Sequence, residues 1–249
     1  TMAIPMAIEI VELTKKFPGK LAVDHLNLEI PYGQITALLG SNGAGKTTTL
    51  NMIVGFLRPD SGIVRIGGKD NFTNLIEAKR KIGYLGTEMA LYEKFSVKEC
   101  WEFFAKLRGL DRVALQERIK KWVDYFEMGD FLDKKFHELS SGQKQKSLIV
   151  SSILHDPEIL IFDEVTASLD VLTCRLIMNF LKEEKSRGKA VLFSTHILSE
   201  VEYLSDQVAI LHEGKLRDVT TSANLLQKHN VTNLTDAFYF AVKDYKEAA

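Results

Sequence analysis

Gly40-Ser41-Asn42-Gly43-Ala44-Gly45-Lys46-Thr47 decides the fold: its glycines, lysine and hydroxyl stand at the spacing of a phosphate-binding loop. The apolar run Ile35-Thr36-Ala37-Leu38-Leu39 ahead of it reads as a buried strand, and Thr48-Thr49-Leu50-Asn51-Met52-Ile53-Val54 behind it as a helix. A chance glycine-rich turn would not need that context. Glycines let the backbone wrap a polyphosphate, so successive N–H groups and the positive end of the helix dipole converge on it. The candidate phosphate-holding residues are therefore Ser41, Asn42, Gly43, Ala44, Gly45, Lys46, Thr47 and Thr48. Lys46 should reach the β- and γ-phosphates, and the Thr47 hydroxyl should ligate Mg²⁺.

Upstream, Ile8 to Leu13 reads as a strand, Phe17-Pro18-Gly19-Lys20 as a turn, and two further strand-like stretches end in the alternating Leu26, Leu28 and Ile30. This is an antiparallel opening. Phe17 sits at the turn, where an aromatic ring can stack on adenine or serve as core; spacing alone does not separate the two. Downstream come the turn Arg58-Pro59-Asp60-Ser61-Gly62, short strands at Ile63 to Ile66 and Ile82 to Gly86, and a helical stretch from Ser96. There Val97, Cys100, Trp101, Phe104 and Leu107 follow helical spacing, and a second helix spans about 111–126.

Ser140 is a good N-cap for the helix that runs on to Leu154. The apolar strands Ile159 to Phe162 and Ala190 to Ser194 end in Asp163-Glu164 and Thr195-His196. Gln207 to Leu211 and a Glu213-Gly214-Lys215 turn form a hairpin, and two small amphipathic helices follow Thr220. Strands alternating with helices imply a largely parallel sheet whose ligand crevice lies beyond the strands' carboxyl ends. The fold class is thus α/β: a P-loop NTPase core, an N-terminal antiparallel β subdomain and an inserted α-helical subdomain. The expected division is 7–86 and 156–220 for the core, 87–155 for the insert and 221–249 for a short helical tail.

With 32 Lys plus Arg against 33 Asp plus Glu, no general basic field argues for nucleic acid, and none is expected as partner. Cys100 and Cys174 are too few and too isolated for a disulfide framework or zinc site and read as small buried hydrophobes. No apolar run approaches the ~18 residues of a membrane span, and the start lacks the basic flank of a signal peptide. Thr1 reads as an addition ahead of Met2. Any membrane role is expected to go through another subunit.

Hydrolysing a γ-phosphate needs a metal, positioned phosphates and an oriented water. Asp163 at a strand end suits the metal, and Glu164 beside it would orient or deprotonate the water. His196, ending the next strand, would hydrogen-bond the γ-phosphate. The other five histidines read as solvated or structural.

With these motifs assembled, the chain resembles the nucleotide-binding subunit of an ATP-binding cassette (ABC) transporter over roughly residues 8–220. Leu139-Ser140-Ser141-Gly142-Gln143 is similar to the family signature, Ala167-Ser168-Leu169-Asp170 to its D-loop, Thr195-His196 to its switch histidine and Phe17 to its adenine-stacking aromatic. The resemblance implies binding of ATP and Mg²⁺ by a head-to-tail dimer, each ATP lying between one phosphate loop and the other subunit's Ser140, Gly142 and Gln143, with Asp170 nearby. The second ATPase subunit would be identical or a paralogue. A transmembrane permease subunit would dock around the helical insert and hold the chain on the cytoplasmic face of the membrane. Ser141 and Val165 depart from the family pattern tolerably; Thr87 stands where a glutamine is usual, is too short to span the same distance to the metal, and should act there, if at all, through water. Tyr84-Leu85-Gly86-Thr87-Glu88-Met89-Ala90-Leu91-Tyr92 and Lys144-Gln145-Lys146 resemble the sodium, drug and polysaccharide exporter branch. The alternatives are a soluble ABC-type ATPase and an ATP-dependent assembly switch.

Overall fold

The computed structural model describes residues 5–247; Thr1 and Met2, on which the expectation about the chain's start falls, lie outside the described residues. β1 (Met6–Phe17) and β2 (Lys20–Pro31) form a hairpin closed by Pro18-Gly19, with Phe17 paired to Lys20. The break in apolar phase between Val23 and Leu26 suggests two strands after this turn, but the structure makes one strand with a bulge there. His25 takes φ 47° and its N–H donates to the Thr14 hydroxyl at 3.1 Å, which restarts the alternation so that Leu26, Leu28 and Ile30 are buried.

β3 (Ile35–Leu39) leads through the phosphate loop into α1 (Lys46–Ile53). β4 (Ser61–Ile66) and β5 (Lys69–Asp70) return to the hairpin and complete an antiparallel sheet of order β2-β1-β4-β5. α2 (Leu75–Lys81) and β6 (Ile82–Leu85) precede the helical stretch α3 (Val97–Leu107), α4 (Arg112–Phe126) and α5 (Ser141–Ile153). Local chemistry sets these starts. Ser96 and Glu99 close a capping box on α3, and Asp111 accepts the N–H groups of Val113 and Ala114 on α4. β7 (Ile159–Asp163), α6 (Val171–Ser186), β8 (Ala190–Thr195), α7 (Leu198–Leu204), β9 (Gln207–His212), β10 (Lys215–Thr220), α8 (Ser222–His229) and α9 (Leu234–Glu247) follow. The sequence pattern does not delineate α2, α6 or α7, and the last helix is longer than its amphipathic signal suggests.

The second sheet has the order β10-β9-β3-β8-β7-β6, parallel throughout except for the β9–β10 hairpin. Its inner strands read as continuous apolar runs because both faces are covered. Ile35, Ala37 and Leu39 of β3 join the cluster that contains Trp101, Phe126 and Phe180 from the helices, whereas Leu38 faces the cluster under α1 and the antiparallel sheet. Cys100 is buried as the sequence suggests. Cys174 is only half-buried, because it sits on the first turns of α6, whose Val171 and Leu172 face outward. Among the described residues no helix is long and apolar enough to cross a membrane.

Candidate active site

Four adjacent parallel strands, β3, β8, β7 and β6, deliver the site from their carboxyl ends. Register makes this possible: Leu39 pairs with Thr195, Asp163 with Ser194 and Leu85 with Phe162. The phosphate loop, Asp163-Glu164, His196 and Thr87 therefore meet although up to 156 residues separate them in the chain (Gly40 to His196).

Gly45 ends the loop at φ 108°, and a Cβ there would stand 2.5 Å from the Ala22 carbonyl oxygen, so only glycine lets β2 lie against the loop. No side chain caps α1 and no acidic residue occupies its first turn, which leaves the positive helix end for an anion. Lys46 is 5% exposed, and its Nζ donates to the carbonyls of Gly40 at 2.8 Å and Ser41 at 3.2 Å. A cavity of about 370 Å³ is lined by Asn42, Gly43, Gly45, Lys46, Thr47 and Thr48 of the loop together with Lys20, Ala22, Thr87 and Glu164. Ala44 is buried, its N–H donating to the Ser41 carbonyl at 3.1 Å and its own carbonyl accepting from Gly214, so it scaffolds the loop; Ser41 borders an adjacent cavity with His196. Lys20 is a second cation the motif does not reveal: its Nζ donates to the Gly43 carbonyl at 3.2 Å.

Asp163, 2% exposed, gathers three hydroxyls. Thr47 donates to its Oδ2 at 2.7 Å, Thr87 to the same oxygen at 3.0 Å, and Ser194 to its Oδ1. Thr87 thus touches the Asp163 carboxylate directly, a contact separate from the expected water-mediated reach to the metal; the β6–β7 pairing brings the two strand ends close enough. Ser194 carries no sequence signal, yet its hydroxyl also accepts the Glu164 N–H at 3.1 Å and so positions both acids. Glu164 takes φ 48°, and its Oε1 lies 3.4 Å from Lys46 Nζ and 3.2 Å from His196 Nδ1. Nearby, burial pushes the Tyr84 phenol up to about 12, with the Asp163 charge adding to it.

Oxygen donors of this kind fit Mg²⁺, which is bound through one or two carboxylates plus substrate phosphates. Among the described residues no group of three His, Cys, Asp or Glu side chains forms an all-protein metal cage. Thr87→Ala removes one of three hydroxyls on Asp163 and is expected to cost less than about tenfold in turnover, roughly 1.4 kcal/mol, whereas Asp163→Ala nearly eliminates it. ATPase assays across Mg²⁺ concentrations check this; equal losses would mean direct ligation by Thr87.

Phe17 is 43% exposed at the tip of the β1–β2 hairpin, which excludes the core alternative. It does not line the cavity, though Lys20 three residues on does. Phe17→Ala is expected to weaken ATP binding by roughly 1–3 kcal/mol with unchanged chemistry of bound nucleotide, the scale of a lost stacking ring; calorimetry reads it.

Ser140, Gly142, Gln143 and Asp170 lie apart from this cavity. Ser140 and Gln143 form a capping box at the start of α5. Asp170 caps α6, and hydrogen bonds from the Thr173 hydroxyl and N–H hold its carboxyl below the usual carboxylate range. A Cβ on Gly142 would stand 3.3 Å from the Thr173 hydroxyl and 3.7 Å from Asp170 Oδ2, so these four residues form one neighbourhood of their own.

Known proteins match this chain along most of its length. A family model described as ABC transporter matches residues 23–167. The chain is 36% identical over 214 residues to the ABC transporter ATP-binding protein NatA of Bacillus subtilis (strain 168), covering 84% of this chain and 87% of that one. It is 37% identical over 223 residues to the bacitracin transport ATP-binding protein BcrA of Bacillus licheniformis, covering 84% and 68%. A solved structure of the ATP binding subunit of an ABC transporter superposes with a TM-score of 0.88 at 26% identity, covering 95% of this chain and 99% of that one.

Proposed function

Since the chain belongs to the ABC transporter ATP-binding family and is an ATPase, we propose that it drives a membrane exporter by ATP-dependent head-to-tail dimerisation. The observation that carries this reading is the separation of two half-sites on one chain. The cavity holds Lys46, Glu164 and Thr47, while Ser140, Gly142 and Gln143 offer a helix N-terminus elsewhere. Each half completes the other only between two copies, with the γ-phosphate drawn to both helix ends.

In this reading Lys46 holds the β- and γ-phosphates, Glu164 takes or orients the proton of the attacking water, and His196 fixes Glu164 and the γ-phosphate relative to one another. Thr47 and Asp163 hold Mg²⁺, which when bound supplies charge neutralisation at the phosphate oxygens. Phe17 stacks on adenine.

The permease subunit docks at a cavity of about 680 Å³ between α2 and the end of α3, lined by Ile76, Lys79, Arg80, Lys106, Leu107 and Arg108 among others. Ile76 and Leu107 are strongly exposed, and the basic rim suits an acidic, apolar segment. This docking places the chain on the cytoplasmic face of the membrane, and the 84–92 and 144–146 segments, similar to those of exporters, support export. Co-purification with a transmembrane subunit from solubilised membranes tests the reading. Recovery only as a free ATPase with no membrane partner would favour a soluble role instead.

A further inference from the structure

Behind the active site lies a second, buried hydrogen-bond centre built on Glu200 of α7, which is 7% exposed. Both of its oxygens are taken, by hydroxyls from two separate segments. Thr166 donates to Oε1, and Thr195 donates to Oε2 at 2.6 Å. The Thr195 hydroxyl also accepts the Ile197 N–H at 2.9 Å, so the residue before His196 bonds the carboxylate directly and the residue after it is tied to the same hydroxyl. Thr166 stands two residues after Glu164, and its neighbour Val165 offers its carbonyl to Gln145 Nε2 of α5 at 2.6 Å. Burying a carboxylate whose described partners are two neutral hydroxyls is costly, eased here by its place in the first turn of α7.

We propose that Glu200 is a positioning residue for ATP hydrolysis, holding the segment after Glu164 and the segment around His196 in one frame. The geometry gives it that leverage. His196 itself is exposed and meets Glu164 at 3.2 Å, so its placement depends on the backbone at Thr195 and Ile197. Loss of the Glu200 anchor frees that backbone and the Thr166 segment to move independently. Neither Glu200 nor its threonines line the phosphate cavity, so nucleotide affinity should be spared.

The inference rests on His196 acting at the γ-phosphate, and the experiment separates the two. Steady-state ATPase kinetics and thermal unfolding of the full chain are compared for Glu200→Ala, Thr195→Val, Thr195→Ser and His196→Ala. Glu200→Ala and Thr195→Val are expected to lower kcat at least fivefold with KM for ATP within twofold, and Thr195→Ser, which keeps the hydroxyl, to restore kcat to within twofold. The Thr195 pair decides if Glu200→Ala fails to fold. A crippled His196→Ala beside a folded Thr195→Val of normal kcat overturns the positioning role. So does a Thr195→Ser variant no better than Thr195→Val, or a loss confined to KM. Wild-type turnover in His196→Ala overturns the site reading itself, and this proposal with it.

Discussion

Lys46→Ala is expected to abolish ATP hydrolysis, with turnover falling by at least about a hundredfold, the scale seen when a preorganised charge-stabilising donor is removed. The structure explains why no neighbour substitutes. Lys46 Nζ is almost wholly buried among the Gly40 and Ser41 carbonyls and Glu164, at the centre of the loop, while the other cation, Lys20, reaches the Gly43 carbonyl at the rim. Alanine also removes the hydrogen bonds that tie Gly40 and Ser41 to the first residue of α1, so nucleotide binding should weaken along with the chemistry. Hydrogen bonds to charged groups contribute about 1.5–3 kcal/mol each, enough to move affinity by roughly ten- to hundredfold. Turnover and equilibrium binding measured on the same preparation read both effects, and turnover within severalfold of the unsubstituted chain would remove Lys46 from the mechanism.

Glu164→Gln should separate binding from hydrolysis. The amide keeps the shape of the side chain, its contact distance to His196 and the backbone N–H bonds to Ser194, so the site remains assembled. What disappears is a carboxylate able to accept or orient the proton of water, a contribution of about 10²–10⁴ in rate. Removing the negative charge 3.4 Å from Lys46 also relieves competition with the γ-phosphate for that lysine. ATP should then bind, persist and hold two copies together, and size-exclusion chromatography should show a dimer with ATP and Mg²⁺ that is absent with ADP. A chain that stays monomeric with ATP demonstrably bound would count against the sandwich.

Local patterning is enough to recover the strand, loop and helix around Gly45, because each glycine, the lysine and the flanking apolar runs act through the backbone of their own segment. The same holds for Asp163-Glu164 and Thr195-His196, which announce themselves by ending apolar strands, and for Ser140, whose capping-box partner Gln143 stands only three positions on. The phase break at His25 is local as well, but a bulge and a gap between two strands leave the same pattern, and only pairing with β1 distinguishes them. The assembly of the cavity has a different origin. Ser194 bridging Asp163 to Glu164 and Thr87 reaching Asp163 depend on the strand order β3-β8-β7-β6 and its register, while Lys20 arrives with the first hairpin of the other sheet, whose β2 lies against the loop at Ala22 and Gly45. Serine, threonine and lysine occur throughout the chain with no spacing to mark them, so their roles arise only when parallel pairing aligns distant strand ends and the antiparallel hairpin packs against the loop. Glu200 is the extreme instance: in the sequence it is one more acidic residue with no pattern around it, and tertiary packing alone buries it between two threonines.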